Sequence, residues 1–172
     1  ATGMGLAFAG VADDPTAIFY NPAGLGFQEH FGFYIGGNLL TRTDGGFEGA
    51  NPFPGVGTSE SIQKQWFFLP DIYAVVPLTN ELNFGLGVTS PYGLGLRWDN
   101  PEQSVGRFIS QNAVIKTLDL NPVFSFRLFP QLSIAAGADV RFSKVQLERN
   151  LAGQNPFTGA FTDIAHVKLN SD

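Results

Sequence analysis

Five stretches of the chain alternate large apolar residues with small or polar ones at a period of two, the pattern of strands with unlike faces. Over residues 30–42, Phe31, Phe33, Ile35 and Leu39 fall on one face, and Gly32, Tyr34, Gly36 and Asn38 on the other. Residues 65–77 follow if Asp71, Tyr73 and Val75 share the polar side against Ile72, Ala74 and Val76, with Pro70 marking a local irregularity. The strand expected over 82–92 sets Leu82, Phe84, Leu86 and Val88 against Asn83, Gly85, Gly87 and Thr89. Over 113–129, Leu118, Leu120, Pro122, Phe124, Phe126 and Leu128 oppose Thr117, Asp119, Asn121, Ser125 and Arg127. Over 132–148, Leu132, Ile134, Ala136, Ala138, Val140 and Phe142 oppose Ser133, Gly137, Asp139, Arg141 and Ser143.

The connections are as informative as the strands. Residues 77–81 and 129–131 make short joins, whereas 43–64, 93–112 and 149–172 are long. Short and long joins alternate strictly, so an up-and-down sheet gathers the short turns at one end and the long loops at the other. Outer-membrane barrels have that asymmetry.

A lipocalin-like barrel or a β-sandwich also buries one face, so alternation by itself leaves a soluble fold open. Composition tilts the reading toward a membrane barrel. Charged residues make up 15% of the chain, against about a quarter in ordinary globular domains, too few for a water-facing surface. Phenylalanine and tryptophan gather near strand ends (Phe31, Trp66, Phe67, Trp98, Phe129), where interfacial girdles sit. No apolar run is long enough for a membrane-spanning helix. A net charge of −5 without a basic stripe speaks against a nucleic-acid partner. With no cysteine, neither disulfide nor thiol chemistry contributes. Five strands do not close a membrane barrel, whose smallest common form has about eight. The chain is therefore expected to be part of a longer protein.

One segment is not strand-like. Asp13-Asp14-Pro15 reads as a helix cap followed by a first-position proline, and Asn21-Pro22 ends the helical turn, leaving a compact Pro-Gly bend. Gly3-Met4-Gly5 through Ala9-Gly10 precedes it, rich in small residues.

These residues together resemble the FadL-type outer-membrane transporters of long-chain fatty acids, a family that includes TodX-like channels for aromatic hydrocarbons. The match is carried by Gly3 to Gly10, Ala12-Asp13-Asp14 and Asn21-Pro22-Ala23-Gly24-Leu25, which resemble the family's N-terminal hatch. Val88-Thr89-Ser90-Pro91-Tyr92-Gly93-Leu94 resembles the end of its kinked third strand, with Pro91 and Gly93 at the kink. Leu118 to Leu128 and Ala138 to Arg149 resemble its fourth and fifth strands, and Ile164-Ala165-His166 the end of a large external loop. The resemblance implies an all-β transmembrane antiparallel barrel of about fourteen strands, plugged by a hatch. This chain would supply the hatch (1–28) and the first part of the barrel (29–172). It also implies passive uptake of hydrophobic molecules, fatty acids or hydrocarbons, in the bacterial outer membrane among lipid and lipopolysaccharide. A structural or adhesive barrel without transport is the rival function. Arg149 resembles an arginine at the family's ligand pocket, and strand parity also puts it on the polar face. Tyr34, Tyr73, Val75 and Val123 are the expected apolar lining of the lumen.

No enzymatic arrangement can be assembled. His30 and His166 lie far apart with no nucleophile or metal-ligand spacing between them. Asp13-Asp14 fits a cap better than a cation site. Gly85-Leu86-Gly87 lies in a strand with no helix after it, so it is not a phosphate loop. Neither a cofactor nor a metal is expected. Gly46, Phe47, Phe53, Pro54, Val56 and Phe157 give the long loops an apolar character suited either to an external landing site or to packing among loops.

Overall fold

The computed structural model of the chain describes residues 7–42, 45–48, 59–104, 106–159 and 161–171. In chain order the elements are α1 (Ala17–Tyr20), a 3₁₀ helix (Pro22–Phe27), β1 (Gly32–Thr41), β2 (Gly46–Glu48), β3 (Ser59–Ser61), β4 (Trp66–Pro77), β5 (Leu82–Thr89), β6 (Gly93–Arg97), β7 (Asn112–Phe129), β8 (Leu132–Gly137), β9 (Val140–Gln154) and β10 (Phe161–Ser171). The main sheet runs β1-β4-β5-β7-β9-β10, with β6 and β8 also paired to β7, while β2 and β3 form a separate hairpin. The registers of β4 with β5, β5 with β7 and β9 with β10 are all antiparallel, as an up-and-down order requires.

The residues form two compact units. The first comprises Ala1–Asn38, Leu69–Pro91 and Leu118–Phe142; the second comprises Leu39–Phe68, Tyr92–Thr117 and Ser143–Asp172. Both short joins belong to the first unit and all three long connections to the second. The join after β4 is fixed by its own chemistry. Leu78 N and Thr79 N donate to Leu82 O, and Thr79 Oγ1 accepts from Glu81 N and Leu82 N. Arg127 then ties β7 to this turn, its Nη2 donating to Asn80 O at 2.6 Å and its backbone N to Glu81 O at 2.8 Å.

Burial is inverted relative to a water-soluble sheet. Asn83, Thr89, Thr117, Asp119 and Ser125 are buried, whereas Phe33, Ile35, Phe124, Phe126, Ile134 and Phe142 are exposed. Phe124 is 51% exposed while its chain neighbour Ser125 is fully covered. Large apolar side chains left outside over several adjacent strands suit a hydrocarbon environment, and the small polar ones face inward.

The elements differ from the sequence reading in five places, one being that the strand expected over 82–92 ends at Thr89. The helix starts at Ala17 rather than Pro15. Asp14 Oδ1 accepts from Thr16 N (2.7 Å) and Thr16 Oγ1 (2.6 Å), and Ala17 N reaches Asp14 O, so the acidic residue closes a tight turn before the helix instead of capping it directly. The bend expected after Asn21 is a 3₁₀ helix with Pro22 at its start. The strand expected over 132–148 is broken at Ala138 and Asp139 and runs on to Gln154; Ala138 N turns back to Pro122 O at the break. The three long connections also carry strands of their own: β2 and β3 within 43–64, β6 within 93–112, and β10 within 149–172. In β10 the outward and inward positions are of similar polarity, as in Asp163, His166 and Lys168, and so give no clean alternation, while β6 alternates glycine with leucine but is only five residues long.

Candidate functional site

Residues 7–28, the described part of the segment expected to be a hatch and so labelled below, are seated on the inner face of the first unit. Phe8, Ala12, Ala17, Ile18 and Leu25 pack with Tyr73, Val75 and Val123 into the main buried cluster. The fit depends on small residues beneath. A Cβ on Gly85 would come within 2.8 Å of Leu25 and 3.0 Å of Ile18, and one on Gly87 within 3.0 Å of Ile18. The period-two glycines of β5 thus form a shallow bed on which the hatch lies.

The seat is also held by polar bonds. The short helices leave backbone carbonyls that need donors, and the wall supplies them. Asn83 Nδ2 donates to Leu25 O, in a short contact, and to Gln28 O at 2.8 Å. Ser125 Oγ donates to Ala23 O at 3.2 Å, and Ser133 Oγ donates to the same carbonyl. Within the hatch, Asn21 Nδ2 donates to Ala9 O at 2.9 Å, so this half-buried amide clasps the hatch to its own leading segment. Gly24 is pressed against Ala12, where a Cβ would lie 2.5 Å from the Ala12 carbonyl oxygen. Ala12 itself has a φ of 44°, the left-handed conformation that alanine seldom takes.

Tyr73, Val75 and Val123, expected to line a lumen, are therefore covered by the hatch, and Tyr34 lies 6.0 Å from Tyr73 between ring centroids. Further along the same face, Asn38 Nδ2 donates to Asp71 Oδ2 at 3.3 Å. Arg141 grips the buried Asp119 with both arms of its fork, Nε to Oδ1 at 2.7 Å and Nη2 to Oδ2 at 2.6 Å.

The ladder is interrupted around Pro91. β5 pairs with β7 as far as Thr89↔Asp119, and β6 resumes at Gly93↔Lys116. Ser90, Pro91 and Tyr92 therefore stand against Thr117 and Leu118, one residue too many, which makes a bulge. Ser90 N donates to Pro70 O, while Tyr92 N bonds to Thr117 Oγ1. Gly93 is the first residue of the resumed ladder. β4 pairs with β5 up to Asp71↔Thr89, and among the described residues no register joins β4 to β6. In the second unit Phe67 instead lays its ring over Gly95, where a Cβ would meet Phe67 Cζ at 2.8 Å.

In the second unit a groove of about 340 Å³ is lined by Leu94 and Leu96 of β6, Ile115 of β7, Val145 and Leu147 of β9, and Arg42. Alternate positions on three strands give one apolar face, in contrast to the polar inner face beside the hatch. Arg149 follows Leu147 at the next position of that alternation. It is exposed, pairs in register with Val167, and has no hydrogen-bond or ion-pair partner among the described residues.

A polar network in the same unit pins the connection before β7 to β9 and β10. Buried Arg107 donates from Nε to both oxygens of Asp163, at 3.0 and 3.1 Å. Asn150 Nδ2 donates to Asp163 Oδ2 at 3.3 Å, and His166 Nδ1 donates to Asn150 Oδ1 at 2.9 Å. Asn150 N bonds to Arg107 O, and Gln111 N to Glu148 O. Sequence reasoning missed Arg107, Asn150 and Asp163, because no local pattern links residues from three separated stretches. It also passed over Asn83 and Ser133 as hatch anchors, although their inward parity was visible. Of the apolar loop residues, Gly46 and Phe47 line an acidic depression with Glu48, Glu60 and Asp99, and Phe157 is exposed. Residues 1–6 of the expected hatch, and Phe53, Pro54 and Val56, lie outside the described residues.

The family model described as "Outer membrane protein transport protein (OMPP1/FadL/TodX)" matches residues 1–171. A long-chain fatty acid transport protein of Salmonella typhi is 24% identical over 98% of this chain and 42% of its own length. Outer membrane protein P1 of Haemophilus influenzae is 24% identical over 87% of this chain and 36% of its own. The crystal structure of a Pseudomonas aeruginosa FadL homologue shares the fold with a TM-score of 0.62 at 22% identity, covering 92% of this chain and 42% of that one. The chain thus spans less than half the length of the curated relatives it matches.

Proposed function

The chain belongs to the outer membrane protein transport family OMPP1/FadL/TodX, and from that premise we propose that the full protein is a passive channel for hydrophobic molecules, with long-chain fatty acids as its first substrate class. The observation that carries this reading is the apolar groove formed by alternate residues of β6, β7 and β9. A water-filled pore would present polar residues at those positions, whereas an apolar wall offers a greasy molecule continuous contact.

Two further features fit. The hatch closes the inner face of the first unit through side-chain donors rather than covalent links, so its seat is separable. The bulge at residues 90–92, with no β4–β6 ladder among the described residues, supplies a seam for lateral exit between strands. The relatives named for long-chain fatty acid transport support an acid as ligand. Arg149, exposed beyond the groove, is a guanidinium to which a carboxylate head can bind through two parallel hydrogen bonds.

The test is ligand extraction from the full-length protein by mass spectrometry, combined with binding of palmitate and of a hydrocarbon of similar size. Fatty acids in the extract, with palmitate binding that weakens in Arg149→Leu while hydrocarbon binding persists, would support the assignment. Hydrocarbons in place of acids would move the substrate class to the TodX-like side. An empty extract and binding of neither molecule would favour a structural or adhesive barrel.

A further inference from the structure

We propose that Arg42 is a specificity-determining residue, receiving the anionic head of an amphipathic ligand whose chain lies along Leu94, Leu96, Ile115, Val145 and Leu147. This rests on the reading above that the groove carries hydrophobic molecules. It adds a residue that neither the strand parity argument for Arg149 nor the family resemblance pointed to.

Arg42 follows the last residue of β1 and lines the same groove as the five apolar side chains. It is the one charged residue on that lining; the others are aliphatic or glycine. Three other arginines are engaged, Arg141 with Asp119, Arg107 with Asp163, and Arg127 with Asn80 O and Glu29, whereas Arg149 lies beyond the groove lining. Arg42 has no carboxylate or hydrogen-bond acceptor for its guanidinium among the described residues. The acidic residues nearest in kind, Glu48, Glu60 and Asp99, line a different depression.

Arg42 is exposed, and a guanidinium at the edge of an apolar wall presents two parallel donors to a planar anion. The groove volume lies within the range of about 300–1,000 Å³ usual for small-molecule sites. The chemistry that satisfies both halves is a carboxylate with a long alkyl chain. A neutral ester of the same length fits the wall and leaves the guanidinium unused. Selection of acid over ester is thus the property Arg42 controls.

The experiment uses the full-length protein in detergent, with palmitate and methyl palmitate as probes at a pH where palmitate is ionised. Arg42→Gln is expected to weaken palmitate about tenfold, the effect of losing one charge-assisted contact, and to leave methyl palmitate within about twofold. Arg42→Lys keeps the charge but loses the fork, and is expected to recover part of the loss. Unchanged thermal stability of both variants confirms that the fold is intact. Equal weakening of acid and ester would make Arg42 a packing residue and overturn the assignment. No effect on either probe, with acid selectivity lost only in Arg149→Gln, would make it a solvated rim charge and overturn it as well. If the unaltered protein binds neither probe, the hydrophobic-channel reading itself fails, which separates that failure from a fault in the Arg42 assignment alone.

Discussion

Gly24 and Gly10 carry the same side chain and opposite consequences. At Gly24 a methyl would lie 2.5 Å from both the Cβ and the carbonyl oxygen of Ala12, and backbone cannot yield as a flexible side chain does. At Gly10 nothing lies within 4 Å of the same atom. Gly24→Ala is therefore expected to destabilise the hatch by roughly 1–3 kcal/mol, as overpacking commonly does, while Gly10→Ala is near neutral. Protease cleavage within residues 7–28 of the full-length protein should rise in the first variant and not in the second. Asn83 supports the same seat by a different force. Asn83→Ala would strip Gln28 O of its side-chain donor and leave Leu25 O with the Gln28 backbone N–H alone, at a cost of about 1–3 kcal/mol if water does not replace it. Asn83→Asp should be worse, because a carboxylate in that position faces two carbonyl oxygens. Hatch cleavage in the order Asp, Ala, Asn would confirm that the amide acts as a donor; equal cleavage in all three would leave the seat to apolar packing alone.

At the scale of elements, the bulge of residues 90–92 allows a sharper test than any point change. Three residues stand against two between Thr89↔Asp119 and Gly93↔Lys116. Deleting Pro91 equalises the counts and restores regular alternation from β5 into β6, since Thr89 and Asp119 both face inward. The continuous strand is expected to close the seam, so uptake by liposomes or cells should fall several-fold while ligand binding in detergent persists. Unchanged uptake would move the exit elsewhere. The kink was legible in the sequence because proline removes a ladder donor and glycine frees the backbone. Its extent was not, since which residue resumes pairing depends on Lys116 and Thr117 across the ladder. The same division holds elsewhere. The alternation of β5 and β7 showed which faces are unlike, because every second residue there differs sharply in size. It did not show that Tyr73, Val75 and Val123 meet the hatch, a contact between residues separated by dozens of positions. Nor did it show β10, whose two faces are too alike, or the Arg107–Asp163–Asn150 network, which exists only once three distant stretches meet.

At the scale of the whole molecule the decisive quantity is the state of the sheet's outer strands. Among the described residues β1 and β10 stand at the two ends of the strand order, each with one neighbour. In hydrocarbon every free N–H and C=O along such an edge costs several kcal/mol, far more than the marginal stability of a domain can absorb. The outward face makes a retreat into water no remedy, because Phe33, Ile35, Phe124 and Phe126 would then be wetted. Both edges must therefore be paired when this sheet lies in the outer membrane. The chain covers 42% of the Salmonella relative and 42% of the solved Pseudomonas homologue, which shares the fold, so further strands of the full-length protein are the natural partners. Residues 1–172 refolded alone into vesicles are expected to remain open to trypsin and to lack heat-dependent gel mobility, whereas the full-length protein shows protection and the mobility shift. Should the 172-residue piece prove resistant by itself, chemical cross-linking would be expected to reveal an oligomer closing β1 against β10 of a second copy. The hatch would then plug an assembly of several chains, and the groove beside Arg42 would have to be completed by a neighbouring copy rather than by later strands.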